Sequence, residues 1–290
     1  MLEQQIINGL TIGSIYALIA LGYTMVYGIL KIVNFAHGDI FMIGSFFGLF
    51  LIQYVEAPFY LILILASVLT AVLGIIIERF AYRPLRMADR IVPLISAMGV
   101  SIFLSNLAQK IWGAGTHPYP DSFKTHTFKW GGVSLSSIQL FILVLSFLLM
   151  VGLQLFVTKT KIGTAMRATS MSITNATLMG INTNFIIMLT FAIGAILAAN
   201  AGVLVGMYYD AVYPTMGYTL GLKAFTAAVL GGIGSIPGAV LGGLLLGVVE
   251  NLAAGYISSQ YQDVIAFSIL ILVLVLRPTG ILGKKEITKV

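Results

Sequence analysis

The sequence contains no cysteine and very few charged residues. Without cysteine, the chain of 290 residues has no disulfide framework, no thiolate metal site and no cysteine nucleophile. Charged residues make up 9% of the chain and hydrophobic residues 59%, whereas an ordinary soluble domain carries about 25% charged residues. A water-soluble fold of this length could not cover such a core. We therefore predict an all-α, polytopic helical membrane protein in which residues 1–290 form a single transmembrane domain.

The motifs of several enzyme classes are also missing. There is no G-x-x-x-x-G-K-[ST] phosphate loop, which excludes ATP hydrolysis by the usual route. No serine triad or metalloprotease motif is present, and one His beside one Asp does not define a metal site. We expect no catalytic residue, no metal and no cofactor bound by this chain. The net charge of +6 does not indicate nucleic-acid binding, because the basic residues cluster between apolar runs.

Long apolar runs dominate what is present. A membrane-spanning helix needs about 20 mostly apolar residues, and the sequence predicts eight to nine spans, some of them short or broken. The run at 220–233 could instead be re-entrant, because its 14 residues would reach only about 21 Å as a helix. The runs cover residues 6–30, 40–55, 59–77, 91–112, 135–157, 185–208, 220–233, 236–256 and 264–276.

Basic residues predict the orientation of these spans. Arg79, Arg83, Arg86 and Arg90 lie in one short loop, and most of the other basic residues lie in 159–167 and in the C-terminal tail. Short loops rich in Lys and Arg remain in the cytoplasm. If the N-terminus lies outside the cell and the apolar region at 220–276 crosses the membrane three times, all three groups of basic residues lie in the cytoplasm. The loop at 113–134 is then outside and the C-terminus cytoplasmic.

A polar segment, 34–39, precedes the second apolar run. It combines the amide of Asn34, the imidazole of His37 and the carboxylate of Asp39. Ionisable groups at membrane depth usually face the interior of a bundle or an aqueous cavity, and Gly38 could help break the helix and free backbone groups for a substrate. The alternative is a polar turn at the cytoplasmic end of the first hairpin, beside Lys31.

Glycines recur at four-residue spacing, which favours close helix packing over direct substrate contact. The dense stretch 231–238, including Gly234 and Gly238, also predicts a tight break between two helices. Glu250 and Asn251 then interrupt the apolar run. Glu250 either pairs with a polar group in the bundle or lies at the interface, and the interfacial reading is favoured. Lys223 is expected at an outer interface, where its stem can snorkel.

The segment 161–182 differs from an ordinary connector. Met166, Ser170, Ile173 and Thr177 share one face of a predicted helix, and Gly180 is placed to end it. A short surface helix with exposed Met and Leu suits docking into a groove of another protein. The alternative is an interfacial helix lying on lipid.

A set of motifs runs in collinear order over nearly the whole chain. It comprises Gly163, Ala176 and the segments 8–10, 17–23, 34–39, 166–168, 178–182, 189–191, 201–204, 231–239 and 277–283. In these motifs the sequence resembles the LivH-type permeases, the membrane subunits of branched-chain amino acid ABC importers.

This resemblance implies partners and a location. We expect a second, LivM-like permease, two cytoplasmic ATPase subunits that carry ATP and Mg, and an extracytoplasmic binding protein, all at the cytoplasmic membrane of a prokaryote. The ATPase-coupling residues would be Gly163, Met166, Arg167, Ala168, Leu178, Met179, Gly180, Ile181 and Asn182. The family often has an acidic residue within the stretch 171–174, and this chain has none, so packing and hydrogen bonds would carry the docking.

The function implied is ATP-driven import of leucine, isoleucine and valine by alternating access. The candidates for lining or gating the path are Asn34, His37, Gly38, Asp39, Gly234, Gly238, Glu250 and Asn251. One alternative is an importer of urea, amides or other small solutes within the same family. Another is a gradient-driven secondary transporter with ion sites at Asp39 and Glu250, which would transport without partner subunits. A membrane-embedded enzyme has the least support.

Overall fold

The computed structural model describes residues 1–86, 88–89, 91–120, 126–130 and 133–283, and it is predominantly helical. Arg90 and the basic tail residues Lys284, Lys285 and Lys289, which entered the orientation argument, lie outside the described residues. The helices are α1 (Leu2–Leu30), α2 (His37–Tyr54), α3 (Phe59–Ile77), α4 (Ile91–Trp112), α5 (Ser137–Lys159), α6 (Lys161–Met171), α7 (Ile173–Leu178), α8 (Thr183–Tyr209), α9 (Met216–Gly231), α10 (Ile236–Tyr256) and α11 (Gln262–Leu276). Helix α3 continues through a π-helical turn, Glu78–Tyr82, and a short 3₁₀ turn, Arg83–Leu85.

Within the described residues, seven helices are long and apolar enough to cross a bilayer: α1, α3 with its extension, α4, α5, α8, α10, and α11 with the 3₁₀ turn before it. Helices α2 and α9 complete the bundle. Helix α9 has 16 residues, which corresponds to about 24 Å and is shorter than the hydrocarbon core of about 30 Å. The prediction of a polytopic helical membrane protein with short helices is confirmed.

Two small strand pairs lie in the loops at one end of the bundle. Strand β1 (His117–Pro118) pairs with β4 (Ala211–Val212), and β2 (Thr127–Trp130) pairs with β3 (Val133–Ser136), both antiparallel. Gln4 ties the N-terminus to the second pair, because its Nε2 donates to the Ser134 carbonyl at 2.9 Å and its Oε1 accepts from the Ser134 amide at 2.8 Å. The N-terminus and the loop after α4 therefore share one end, in agreement with the orientation derived from the charges.

The basic segments gather at the opposite end. The Arg86 guanidinium donates to Asn184 Oδ1 at 2.8 Å, which joins the loop after α3 to the start of α8. The segment after α11 returns to the end of α9, where the Ile281 amide donates to the Leu230 carbonyl at 2.9 Å and the Leu282 amide to the Gly231 carbonyl at 2.9 Å. This end also carries α6 and α7.

Helix α1 occupies the centre of the bundle, with its middle from Gly13 to Val26 buried on every side. It packs backbone to backbone against α10: a Cβ built on Gly13 would lie 2.8 Å from the Gly243 carbonyl oxygen, and one on Gly9 would lie 2.6 Å from the Val248 Cα. The interpretation of the glycine spacing as helix packing is confirmed at this contact. Helices α3, α4, α5 and α11 lie outside and expose apolar side chains.

Candidate functional site

The polar segment between α1 and α2 folds into the protein. Lys31 ends α1 in a left-handed conformation, with φ of 56°, and Asn34 follows it as a buried residue. The Tyr82 hydroxyl donates to Asn34 Oδ1 at 2.8 Å, which fixes this connection against the π-helical turn. Asn34 therefore holds two segments together, and its Nδ2 has no hydrogen-bond partner among the described residues.

His37, the first residue of α2, is wedged between α1 and α8. Its ring packs edge-on against Tyr23, with 4.8 Å between centroids. A Cβ at Gly22 would collide with the imidazole, so glycine at that position makes room for the ring. His37 lies beside the cavity described below but is not part of its wall.

Gly38 lies inside α2 and does not break it. Its role is close packing, because a Cβ at Gly38 would collide with the Gly217 carbonyl, and one at Gly217 would lie 2.6 Å from the Gly38 carbonyl oxygen. The start of α2 therefore touches the start of α9 without intervening side chains. The idea that Gly38 opens the helix is wrong, and the break lies earlier, in the loop that follows Lys31.

Asp39 is 3% exposed. Ser105 of α4 donates to Asp39 Oδ1 at 2.7 Å, and Ser101, one turn earlier, hydrogen-bonds to the same carboxylate. No basic side chain of the described residues forms an ion pair with Asp39. The two serines were missed in the sequence, although their four-residue spacing places them on one face of a helix.

A cavity of about 270 Å³ borders Asp39. Its walls come from α1, α2, α4, α9 and the loop before α2, and Tyr23 and Phe35 supply aromatic surface. Two of the lining residues, Ile102 of α4 and Tyr218 of α9, are exposed. Among the described residues Asp39 supplies the one carboxylate that lines this space.

The glycine-rich turn lies elsewhere. Gly232 and Gly234 have positive φ values of 106° and 92°, and Ser235 Oγ accepts from the Gly238 amide at 3.2 Å to cap α10. The predicted break between two helices is confirmed. Neither Gly234 nor Gly238 lines the cavity beside Asp39.

Glu250 forms a buried ion pair. The Lys223 ammonium lies 2.6 Å from Glu250 Oε1 and 2.7 Å from Asp263 Oδ1, and Glu250 is 2% exposed. The favoured interfacial readings of Glu250 and Lys223 are therefore wrong, and Lys223 instead joins α9 to α10 and α11. Asn251 donates from Nδ2 to the Gly247 carbonyl of its own helix at 2.9 Å. Because Glu250 has a fixed cationic partner, it is poorly suited to be an ion site of a secondary transporter.

The segment 161–182 forms two helices instead of one. Helix α6 ends at Met171, and the side chain of the next residue, Ser172, accepts from the Asn175 amide at 3.2 Å and caps the start of α7. The single face proposed for Met166 through Thr177 is therefore interrupted. Gly180, with φ of 82°, follows the end of α7 as predicted, and its amide donates to the Thr177 carbonyl at 3.0 Å.

The predicted coupling residues divide into an anchored set and an exposed set. Gly163 and Met166 are buried, and the Arg167 guanidinium donates to the Val157 carbonyl and to Thr164 Oγ1. Ala168 and Ile181 are half-buried, and Asn182 caps α8 by accepting from the Phe185 amide at 3.1 Å. Met171, Leu178 and Met179 are 88%, 80% and 84% exposed and form an apolar surface at this end of the bundle.

Comparison with known proteins identifies the family. Residues 5–274 match the family described as the permease component of the branched-chain amino acid transport system. This chain belongs to that permease family. It is 50% identical to the high-affinity branched-chain amino acid transport system permease protein BraD of Pseudomonas aeruginosa, over 99% of this chain and 97% of that protein. It is 46% identical to the corresponding LivH protein of Escherichia coli, over the same shares.

A solved structure shows the same fold for the permease. The PsaBC complex of Streptococcus pneumoniae, determined with a Fab, matches with a TM-score of 0.52 at 13% identity, covering 96% of this chain and 92% of the matched chain. The family and the fold together make this chain a multi-pass membrane permease.

Proposed function

We propose that this permease imports leucine, isoleucine and valine as one membrane subunit of an ATP-driven transporter. The observation that carries the proposal is the 50% identity to BraD over 99% of the chain, because a relative named for branched-chain amino acid transport matches from end to end. The proposed location is the cytoplasmic membrane of a prokaryote, with the C-terminus in the cytoplasm.

The proposed partners are a second, LivM-like permease, two cytoplasmic ATPase subunits and an extracytoplasmic binding protein. ATP and Mg would be bound by the ATPase subunits. The exposed side chains of Met171, Leu178 and Met179 support docking to such a subunit, since large apolar side chains on a short helical segment can enter a groove of a partner protein. Movement of α6 and α7 would pass to α5 through the hydrogen bond between Arg167 and Val157.

The path for the substrate is proposed beside the start of α2. Asp39 lines a cavity, whereas Asn34, His37 and Gly38 hold the surrounding segments in place. The turn containing Gly234 and Gly238 is proposed as a gate at the basic end, because its left-handed residues hold an abrupt change of direction between α9 and α10. Asn251, with Glu250, belongs to the framework behind this path.

Co-purification and uptake test the proposal. The tagged chain is isolated from native membranes, every co-purifying chain is identified, and the complex is reconstituted with ATP inside vesicles. We expect a second permease and an ATPase, and uptake of leucine and valine but not urea. Uptake of urea in place of leucine would assign the chain to another solute, and gradient-driven uptake by the chain alone would contradict an ATP-driven importer.

Two further experiments address docking and orientation. Gly180→Trp is expected to abolish co-purification with the ATPase, whereas Gly115→Trp, at the opposite end and with open space around it, leaves it intact. Normal assembly and coupled hydrolysis with Gly180→Trp would contradict the docking surface.

A reporter active only in the cytoplasm, fused after Val290, is expected to give a signal, and a silent reporter would contradict the proposed orientation.

A further inference from the structure

The cavity beside Asp39 has the chemistry of a small binding site. Its volume of about 270 Å³ is just below the roughly 300–1,000 Å³ of sites for drug-sized ligands, so it suits a smaller molecule. Phe35, Met98, Ile102 and Leu222 give it apolar walls, and one carboxylate supplies the charge.

That carboxylate is held in place without being neutralised. Ser105 is outside the set of lining residues and donates to Oδ1 at 2.7 Å, which leaves the remaining acceptor positions of the carboxylate for other donors. Ser101 belongs both to the cavity wall and to the hydrogen-bonding partners of Asp39. The described residues supply no cation for this group.

The free-energy cost of burying the Asp39 carboxylate at membrane depth has to be offset by its surroundings. An ionised carboxylate at membrane depth is costly unless it is paired, or faces water or another polar group. Two hydroxyls and the start of α2 reduce the cost, but the cavity places the carboxylate against a space that a cationic ligand can enter. In the same protein, Glu250 is paired with Lys223 and does not line this cavity.

We propose that Asp39 and the Ser101 hydroxyl bind the ammonium group of an alkyl amino acid in this cavity, with Ser105 positioning the carboxylate. The alkyl side chain would contact Phe35, Met98 and Ile102. The proposal rests on the proposed function, because it assigns one contact within the path for such a substrate.

The absence of cysteine allows a direct test on the assembled complex. Leu222→Cys introduces a single thiol at the cavity wall of this chain and leaves Asp39, Ser101 and Ser105 unchanged. Its labelling rate is measured with a cationic reagent, 2-aminoethyl methanethiosulfonate, and an anionic one, 2-sulfonatoethyl methanethiosulfonate. We expect the ratio of cationic to anionic rates to fall about tenfold when Asp39→Asn is added, because the attracting charge is removed at short range. Asp39→Glu keeps the charge and is expected to preserve the ratio.

Ligand protection and a control position complete the experiment. Leucine and 3-methylbutylamine are expected to slow labelling of the thiol, whereas 4-methylpentanoate, which lacks the ammonium, is not. The control is Thr174→Cys on the exposed surface of α7, where Asp39→Asn leaves the ratio unchanged.

Three results would overturn the ammonium site: a ratio insensitive to Asp39→Asn, equal protection by 4-methylpentanoate and leucine, or no reaction of the thiol with either reagent. Uptake by the unmodified complex separates this site from the proposed function. Leucine uptake with an insensitive ratio refutes only the site. A sensitive ratio and protection by 3-methylbutylamine, in a complex that takes up no leucine, refute only the proposed substrate.

Discussion

Asp39 and Glu250 are both carboxylates buried within the helix bundle, but their surroundings differ. Glu250 contacts the Lys223 ammonium at 2.6 Å, and a second acid, Asp263, reaches the same ammonium. Asp39 has serine hydroxyls as partners and lines a cavity. Removing one partner of a buried ion pair leaves an uncompensated buried charge. A carboxylate that has no cationic partner among the described residues, such as Asp39, is stabilised by other contacts and does not depend on a cation. We infer that Glu250 stabilises the fold and that Asp39 serves the path of the substrate.

The largest effect should come from breaking the pair at Glu250. Lys223→Met leaves that carboxylate buried without its cation, and we expect a loss of about 3–5 kcal/mol in the free energy of unfolding. Lys223→Met combined with Glu250→Met removes both charges and should recover most of that loss. Denaturation in detergent, followed by tryptophan fluorescence, measures both variants. Equal stability of the single variant and the unmodified protein would show that the pair contributes little.

The next effect concerns the contact between the starts of α2 and α9. Gly38→Ala places a Cβ against the Gly217 carbonyl, and we expect a destabilisation of about 1–3 kcal/mol, typical of overpacking. The matched change is Gly152→Ala in α5, where a Cβ meets open space. That variant should unfold at or slightly above the temperature of the unmodified protein, since alanine favours helix more than glycine does. A similar melting temperature for both variants would contradict the close approach.

Asp39→Asn should affect transport more than stability. The amide keeps the volume and can still accept from Ser105, so we expect assembly and melting temperature to be retained. Uptake should fall by about tenfold, equivalent to about 1.4 kcal/mol in the barrier. ATP-driven leucine uptake and thermal unfolding are measured on the same preparation. Unchanged uptake would mean that Asp39, like Glu250, belongs to the framework.

The smallest effect is predicted for Ser105→Ala. This change removes one hydrogen bond to a charged group, but Ser101 remains a partner of Asp39. We expect about a threefold decrease in leucine uptake, equivalent to about 0.7 kcal/mol, which is below the roughly 1.5–3 kcal/mol typical of a hydrogen bond to a charged group because Ser101 compensates in part. The cationic preference of a thiol introduced by Leu222→Cys should persist, because Asp39 keeps its charge. Loss of that preference would show that the Asp39 carboxylate needs Ser105 to hold its position, and that Ser105 is more than a minor contact.

The sequence predicted the positions of the helices well, but it did not predict which side chains from different helices would pair. Apolar runs and turn residues act locally, so the helices and the ends at Lys31, Gly180 and Gly234 follow from short stretches of sequence. The pairing of Lys223 with Glu250 depends on how α9 and α10 pack, and no local pattern specifies it. The same holds for Asp39 and Ser105, which come from different helices. The break at Ser172 was missed because its capping role competes with a continuous helical pattern.

The contact of α1 with α10 carries a consequence for motion during transport. Gly9 and Gly13 bring the two backbones together with no layer of side chains that could change rotamer between them. A transporter that exposes its path first to one side and then to the other needs surfaces that slide. We therefore expect α1 and α10 to move as one rigid body. Other helices would then move relative to them at contacts made by long side chains, such as the contacts of α4 around the cavity.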